Sequence, residues 1–160
     1  MSLLDIHRSI DEIYREHLMA LISLEWEKAS GLLQEFQRKI SQHAQDEEAF
    51  LRSIYVPRAG KIPGGDPELF FAEHRRMLDF VRWLQEDLQS IPGHLSGQEG
   101  LDPDARREAL ARVIAILERE FRLKHLLEHH DLRERNILYP VMDRITTPEE
   151  KACILGSLEG

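Results

Sequence analysis

Residues 129–140 read His129-His130-Asp131-Leu132-Arg133-Glu134-Arg135-Asn136-Ile137-Leu138-Tyr139-Pro140, inside a run whose apolar positions Leu123, Leu127, Ile137 and Val141 return at helical spacing. Successive residues of an α-helix turn by about 100°, so Glu134 lies only about 40° round from His130, on the same apolar face. A carboxylate aimed into such a stripe is costly unless it is paired or bound to a metal. The pattern occurs twice: His43 and Glu47 share a face with Phe36, Phe50 and Ile54. Each copy is preceded by a Glu-His pair, Glu16-His17 for the first and Glu73-His74 for the second, with Phe70, Leu78 and Val81 flanking His74. Four imidazoles and two carboxylates supplied by equivalent positions are what a site for two metal ions needs.

Helical punctuation surrounds these copies. Asp66-Pro67-Glu68, Asp102-Pro103-Asp104 and Thr147-Pro148-Glu149-Glu150 each place a capping side chain before a Pro at the first helical position. Pro loses no hydrogen bond there, and the acids that follow suit the positive end of the helix dipole. Upstream, Ile10, Ile13, Tyr14, Leu21 and Leu24 recur around His17, and Leu32, Phe36, Ile40, Phe50 and Ile54 recur around His43, with Ser30-Gly31 as the turn between them. The spacing predicts helices over about 4–28, 31–56, 67–90, 103–145 and 148–157, and a loop at 91–102. Nothing reads as a strand. The expected fold class is all-α, an up-and-down four-helix bundle with a short C-terminal helix, as one domain over 1–160 and a bundle core at about 5–145.

A hairpin folded at Ser30-Gly31 sets His17 and His43 at one height, because each stands thirteen residues from Ser30. At 1.5 Å per residue that is roughly 20 Å from the turn. The second half is less symmetric, with His74 sixteen residues from Ser90 and His130 twenty-seven from Pro103, so the fourth helix is expected to overhang the third.

Composition removes other classes. The formal net charge of −8 argues against a phosphate-binding surface, and hence against nucleic acid. The single Cys153 excludes an internal disulfide and thiolate ligation, which points to a reducing, cytoplasmic setting. No apolar run approaches the ~20 residues needed to span a bilayer, and the N-terminal residues do not read as a signal peptide. There is no H-E-x-x-H, G-x-S-x-G or phosphate loop. No His has Glu three residues before it, which disfavours the ferritin-like di-iron pattern. If Glu47 and Glu134 both bridge, each metal receives two imidazoles and two carboxylate oxygens. Nitrogen and oxygen donors without thiolate suit iron, manganese or zinc.

The order His, H-x-x-x-E, His, H-x-x-x-E, with the last copy running into Leu138-Tyr139-Pro140, resembles the hemerythrin-like (HHE cation-binding) domain family over about residues 5–145. The resemblance implies a non-haem di-iron centre with an oxo or hydroxo bridge. Its terminal ligands would be His17, His43, His74 and His130, and its bridges Glu47 and Glu134. Oxygen-carrying members have a fifth His on the third helix, where this chain has Leu78. The four-His, two-Glu branch is associated with nitric oxide and peroxide chemistry, iron-sulfur repair, or iron and redox sensing.

The expected function is therefore binding of, or reaction with, oxygen, nitric oxide or peroxide at two iron ions, in stress response or iron handling. Catalytic turnover of peroxide or nitric oxide, and a zinc-bound or metal-free structural or signalling bundle, are the alternatives. Among the other candidates, His129 competes with His130, and Tyr14 stands one turn from His17 with core packing as its plainer role. His7 and His125 read as surface residues, His94 as a loop residue, and Tyr55 and Tyr139 as packing at the bundle end. Glu16 and Glu73 read as exposed, or as acceptors orienting a ligating imidazole. Trp26 and Trp83 each follow a candidate ligand by nine residues, which turns them away from the metal face and suggests a homodimer through those faces.

Overall fold

The computed structural model describes residues 3–92, 95 and 101–157, so His94 and most of the 91–102 loop lie outside the described residues. The chain is all-helical, and no strand occurs among the described residues. Its long helices are α1 (Leu3–Ile22), α2 (Trp26–Phe50), α3 (Pro67–Gln89) and α4 (Pro103–Arg133), followed by a short α5 (Pro148–Ser157). Asp66 and Asp102 cap α3 and α4 by accepting hydrogen bonds from backbone N–H groups of the first turn, with Pro at the first helical position as expected. Among the described residues no helix is long and apolar enough to cross a membrane.

The first turn is not at Ser30-Gly31. Both residues lie inside α2, and the chain reverses at Ser23–Glu25. Glu25 N–H donates to Ala20 O at 2.9 Å and Leu24 N–H to Leu21 O at 3.1 Å, the paired bonds of a Schellman C-cap. The left-handed residue of that motif is usually Gly; here it is Leu24, at φ 60°. The strain of about 1–2 kcal/mol in such a conformation is offset by burial. Leu21, Leu24 and Trp26 are all inside, and only a reversal between them lets all three face the core. Gly31, expected at the turn that starts the second helix, lies more than one turn inside it.

α1 packs on α2, α2 on α3, α3 on α4, and α4 returns to α1. Two apolar clusters fill the interior. One runs from Leu21, Trp26 and Leu33 to Met77, Val113 and Leu123; the other gathers Phe50, Leu51, Tyr55, Phe70, Leu138 and Val141. A layer of buried His and Glu side chains separates them. Trp26, expected on an outward face, is buried, and its indole N–H donates to Leu95 O at 2.7 Å. Trp83 does stand out, 41% exposed, against Phe80.

Both motif-bearing helices widen after their carboxylate. α2 passes through a π-helical turn at Leu51–Tyr55 into Val56–Arg58, and α4 through one at Glu134–Leu138 into Tyr139–Ile145. Val56 N–H reaches Leu51 O and Tyr139 N–H reaches Glu134 O, one residue farther back than in an α-helix. Pro57 and Pro140 follow at once. A Pro ring inside a helix collides with the carbonyl four residues earlier, and the wider turn makes the room.

Candidate metal centre

Five of the six residues expected as ligands meet: His43, Glu47, His74, His130 and Glu134, all at most 6% exposed. Glu134 lies at the middle. Its Oε1 is 2.9 Å from His130 Nε2 and 3.3 Å from His43 Nε2. Glu47 Oε2 stands 3.2 Å from His74 Nε2, 3.6 Å from His130 Nε2 and 3.7 Å from His43 Nε2.

The sixth expected ligand, His17, is elsewhere. It is fully buried, with Nδ1 2.8 Å from Ala29 O and Nε2 2.7 Å from Glu120 Oε1. His7 takes its place, with Nε2 3.3 Å from His43 Nε2 and 3.1 Å from Glu134 Oε2. The displaced turn is the reason. With the reversal centred on Leu24, the residue level with His43, nineteen positions on, is near His7, seventeen positions back. The chain pivots at the buried apolar triplet Leu21, Leu24 and Trp26 and not at Gly31, which sets His7 in place of His17 level with His43. That triplet was the signal that would have found His7.

The remaining candidates sort cleanly. Tyr14 stacks near His17 and donates its hydroxyl to Glu120 O at 2.8 Å, away from the cluster. His125 and His129 are exposed and lie against one another, and Glu16 is exposed. Tyr55 donates to Gly65 O at 2.8 Å. Tyr139 reaches the centre instead of merely packing, donating to Glu134 Oε2 at 2.6 Å.

Three of the four rings are anchored on their far side, and the Nδ1 of the fourth, His43, is buried without a hydrogen-bond partner. His7 Nδ1 is 2.7 Å from Asp131 Oδ1, His130 Nδ1 is 3.0 Å from Glu73 Oε2, and His74 Nδ1 is 3.2 Å from Glu48 Oε1. A carboxylate accepts, so each of these Nδ1 atoms carries a proton, and the matching Nε2 is the nitrogen left to face the layer. Those Nε2 atoms point inward. His74 Nε2 and His130 Nε2 are 3.1 Å apart. Nitrogen and carboxylate donors packed this closely need positive charge among them, supplied by protons or by a metal ion. Separations near 3 Å are also the edge expected for donors about 2.1 Å from one octahedral ion. Neither oxygen of Glu47 has a hydrogen-bond partner, although the residue is buried; metal ligation would supply the missing stabilisation.

Protonation tells the same story. Burial disfavours the His130 cation, but Glu134, Glu47 and Glu73 outweigh it and hold that imidazole well above its ordinary value. For His43 burial is likewise overcome, chiefly by Glu134. Burial would raise the Glu134 carboxyl, yet His130 and His43 hold it well below the usual carboxylate range. The layer demands positive charge, and protons compete with metal for the same lone pairs.

This buried cluster could hold a metal ion. No protein-family model matches the chain, and no curated protein or solved structure matches it.

Proposed function

We propose that the chain is a hemerythrin-like, up-and-down four-helix bundle that carries a non-haem di-iron centre and binds or reacts with a small ligand: oxygen, nitric oxide or peroxide. His7 and His43 would hold one ion and His74 and His130 the other, with Glu47 and Glu134 shared between them. The observation that carries this reading is the outward anchoring of three imidazoles by carboxylates, which turns their Nε2 atoms toward buried carboxylate oxygens. Outer carboxylates of this kind fix the tautomer and orientation of ligating His. An all-nitrogen and oxygen donor set suits iron, with manganese and zinc as competitors.

Bound iron would supply redox chemistry and open coordination positions for the small ligand. The chain's own contribution is separate. Glu73, Glu48 and Asp131 hold the Nδ1 protons, and Tyr139 holds a proton at Glu134 Oε2. Leu78, where oxygen carriers have a fifth His, favours nitric oxide or peroxide over reversible oxygen transport.

Anaerobic iron loading, metal analysis and absorption spectra before and after exposure to oxygen and then nitric oxide test the reading. Two iron ions per chain with oxo-bridged ferric charge-transfer bands are expected. A colourless protein that prefers zinc, or one that takes up no metal, would overturn it.

A further inference from the structure

A cleft opens between α1 and α4 and ends on the His/Glu layer. It encloses about 330 Å³, and His7, His43 and His130 form its floor. Ile10, Leu18, Ile40, Met77 and Leu127 line its walls together with Tyr14. Tyr14 offers the cleft only its ring, because its hydroxyl is already engaged by Glu120 O. The walls therefore supply dispersion and apolar burial, and the only polar groups at depth are those of the cluster. Of the other lining residues, Arg15 and Lys124 are balanced by Asp11 and Glu128, with Asp131 against His7, which leaves no excess of positive charge to select an anion.

Size sets the occupant. A diatomic ligand fills about one water's share of volume, ~30 Å³, roughly a tenth of this space. Sites for small organic molecules begin near 300 Å³. We propose that this cleft binds a neutral organic molecule with an apolar body and a single hydroxyl or hydroperoxyl head, the head lying against His43 and His130 and the body between Ile10, Leu18 and Leu127. The contact between head and bound metal rests on the di-iron reading; occupancy of the cleft does not, because its walls are formed by the protein alone.

Cumyl alcohol (2-phenyl-2-propanol) is a suitable probe, titrated calorimetrically into the full chain in metal-free and iron-loaded forms. Leu127→Trp and Leu18→Trp fill the cleft from opposite walls, and Ile114→Trp places the same ring at an exposed position, 63% accessible, outside it. Saturable one-to-one binding is expected, weakened at least about tenfold by either cleft variant and unchanged by the control. In the metal-free protein, nuclear Overhauser contacts should join the probe's methyl groups to the ring protons of His43 and His130, and its phenyl protons to Leu18. Circular dichroism identifies a variant that fails to fold, and the other cleft variant then decides. Absence of saturable binding to the wild type, equal affinity in a folded cleft variant, or reversed contacts would overturn the inference. Alcohol binding by a chain that takes up no iron would sink the di-iron reading alone; iron loading without alcohol binding would sink this inference alone.

Discussion

Replacing His17 and replacing His7 should have opposite consequences, which makes the pair the most informative perturbation of this protein. His17 is fully buried, and its partner Glu120 is 1% exposed with Oε2 already lacking a hydrogen-bond partner. His17→Ala strips Oε1 as well. Removing one member of a buried pair costs about 3–5 kcal/mol, because the survivor keeps its desolvation and loses its compensation. In a chain of this size each kcal/mol lowers the melting temperature by about 2–4 °C, so a loss of roughly 6–20 °C is expected in the metal-free protein. Iron stoichiometry at saturation should not change. His7→Ala should do the reverse: its side chain is part-exposed and bonded to Asp131, so the metal-free protein loses little stability while iron binding falls sharply. A third variant, His17→Leu with Glu120→Leu, removes both polar partners and should recover most of the loss seen in His17→Ala. Urea denaturation of metal-free protein and iron analysis after loading give both quantities. Loss of iron in His17→Ala, or full stoichiometry in His7→Ala, would refute the ligand assignment.

Other expectations follow from single contacts. Gly31→Ala should stabilise by about 0.5–1 kcal/mol in urea denaturation, since an added Cβ meets nothing within 4 Å in a helix interior. Gly65→Ala should destabilise by about 1–3 kcal/mol in the same assay, because its Cβ would stand 2.5 Å from the Tyr55 hydroxyl and 3.0 Å from Ile137. Tyr139→Phe removes the hydroxyl that donates to Glu134 Oε2 and should weaken metal affinity about 10–100-fold in chelator competition. Arg58 grips Glu150 with two bonds of 2.9 Å and lowers its carboxyl to about 2. A lowered carboxyl stabilises above its ordinary range and loses that contribution as pH falls through the folded value. Hydrogen exchange of α5 should therefore quicken, after correction for intrinsic rates, as pH drops from about 5 toward 2, and high salt should blunt the difference.

Much of the helical framework was legible because its signals are local. Asp-Pro and Thr-Pro pairs starting α3, α4 and α5 act through their own side chains and need no distant partner. The facing of His43 with Glu47 and of His130 with Glu134 was legible for the same reason, since four residues of helix fix it. What the residues concealed was decided between elements. Leu24 adopts a glycine-like conformation because three apolar side chains need the core, and no dipeptide rule registers that trade. His17 looked like a ligand by its apolar surroundings, but Glu120, 103 residues away in sequence, claims it. Glu48 and Asp131 as anchors of candidate ligand rings were equally out of reach, because each serves a His on another helix.

That last arrangement ties the molecule together. Asp131 on α4 steers His7 of α1, Glu48 on α2 steers His74 of α3, and Glu73 on α3 steers His130 of α4. When α2, α3 or α4 swings outward it thus withdraws its own donor and, in the same movement, unseats a ring belonging to its neighbour. Movement of α2 or of α4 disturbs both proposed ion positions at once, so on the di-iron reading the two ions should leave together as a chelator is added.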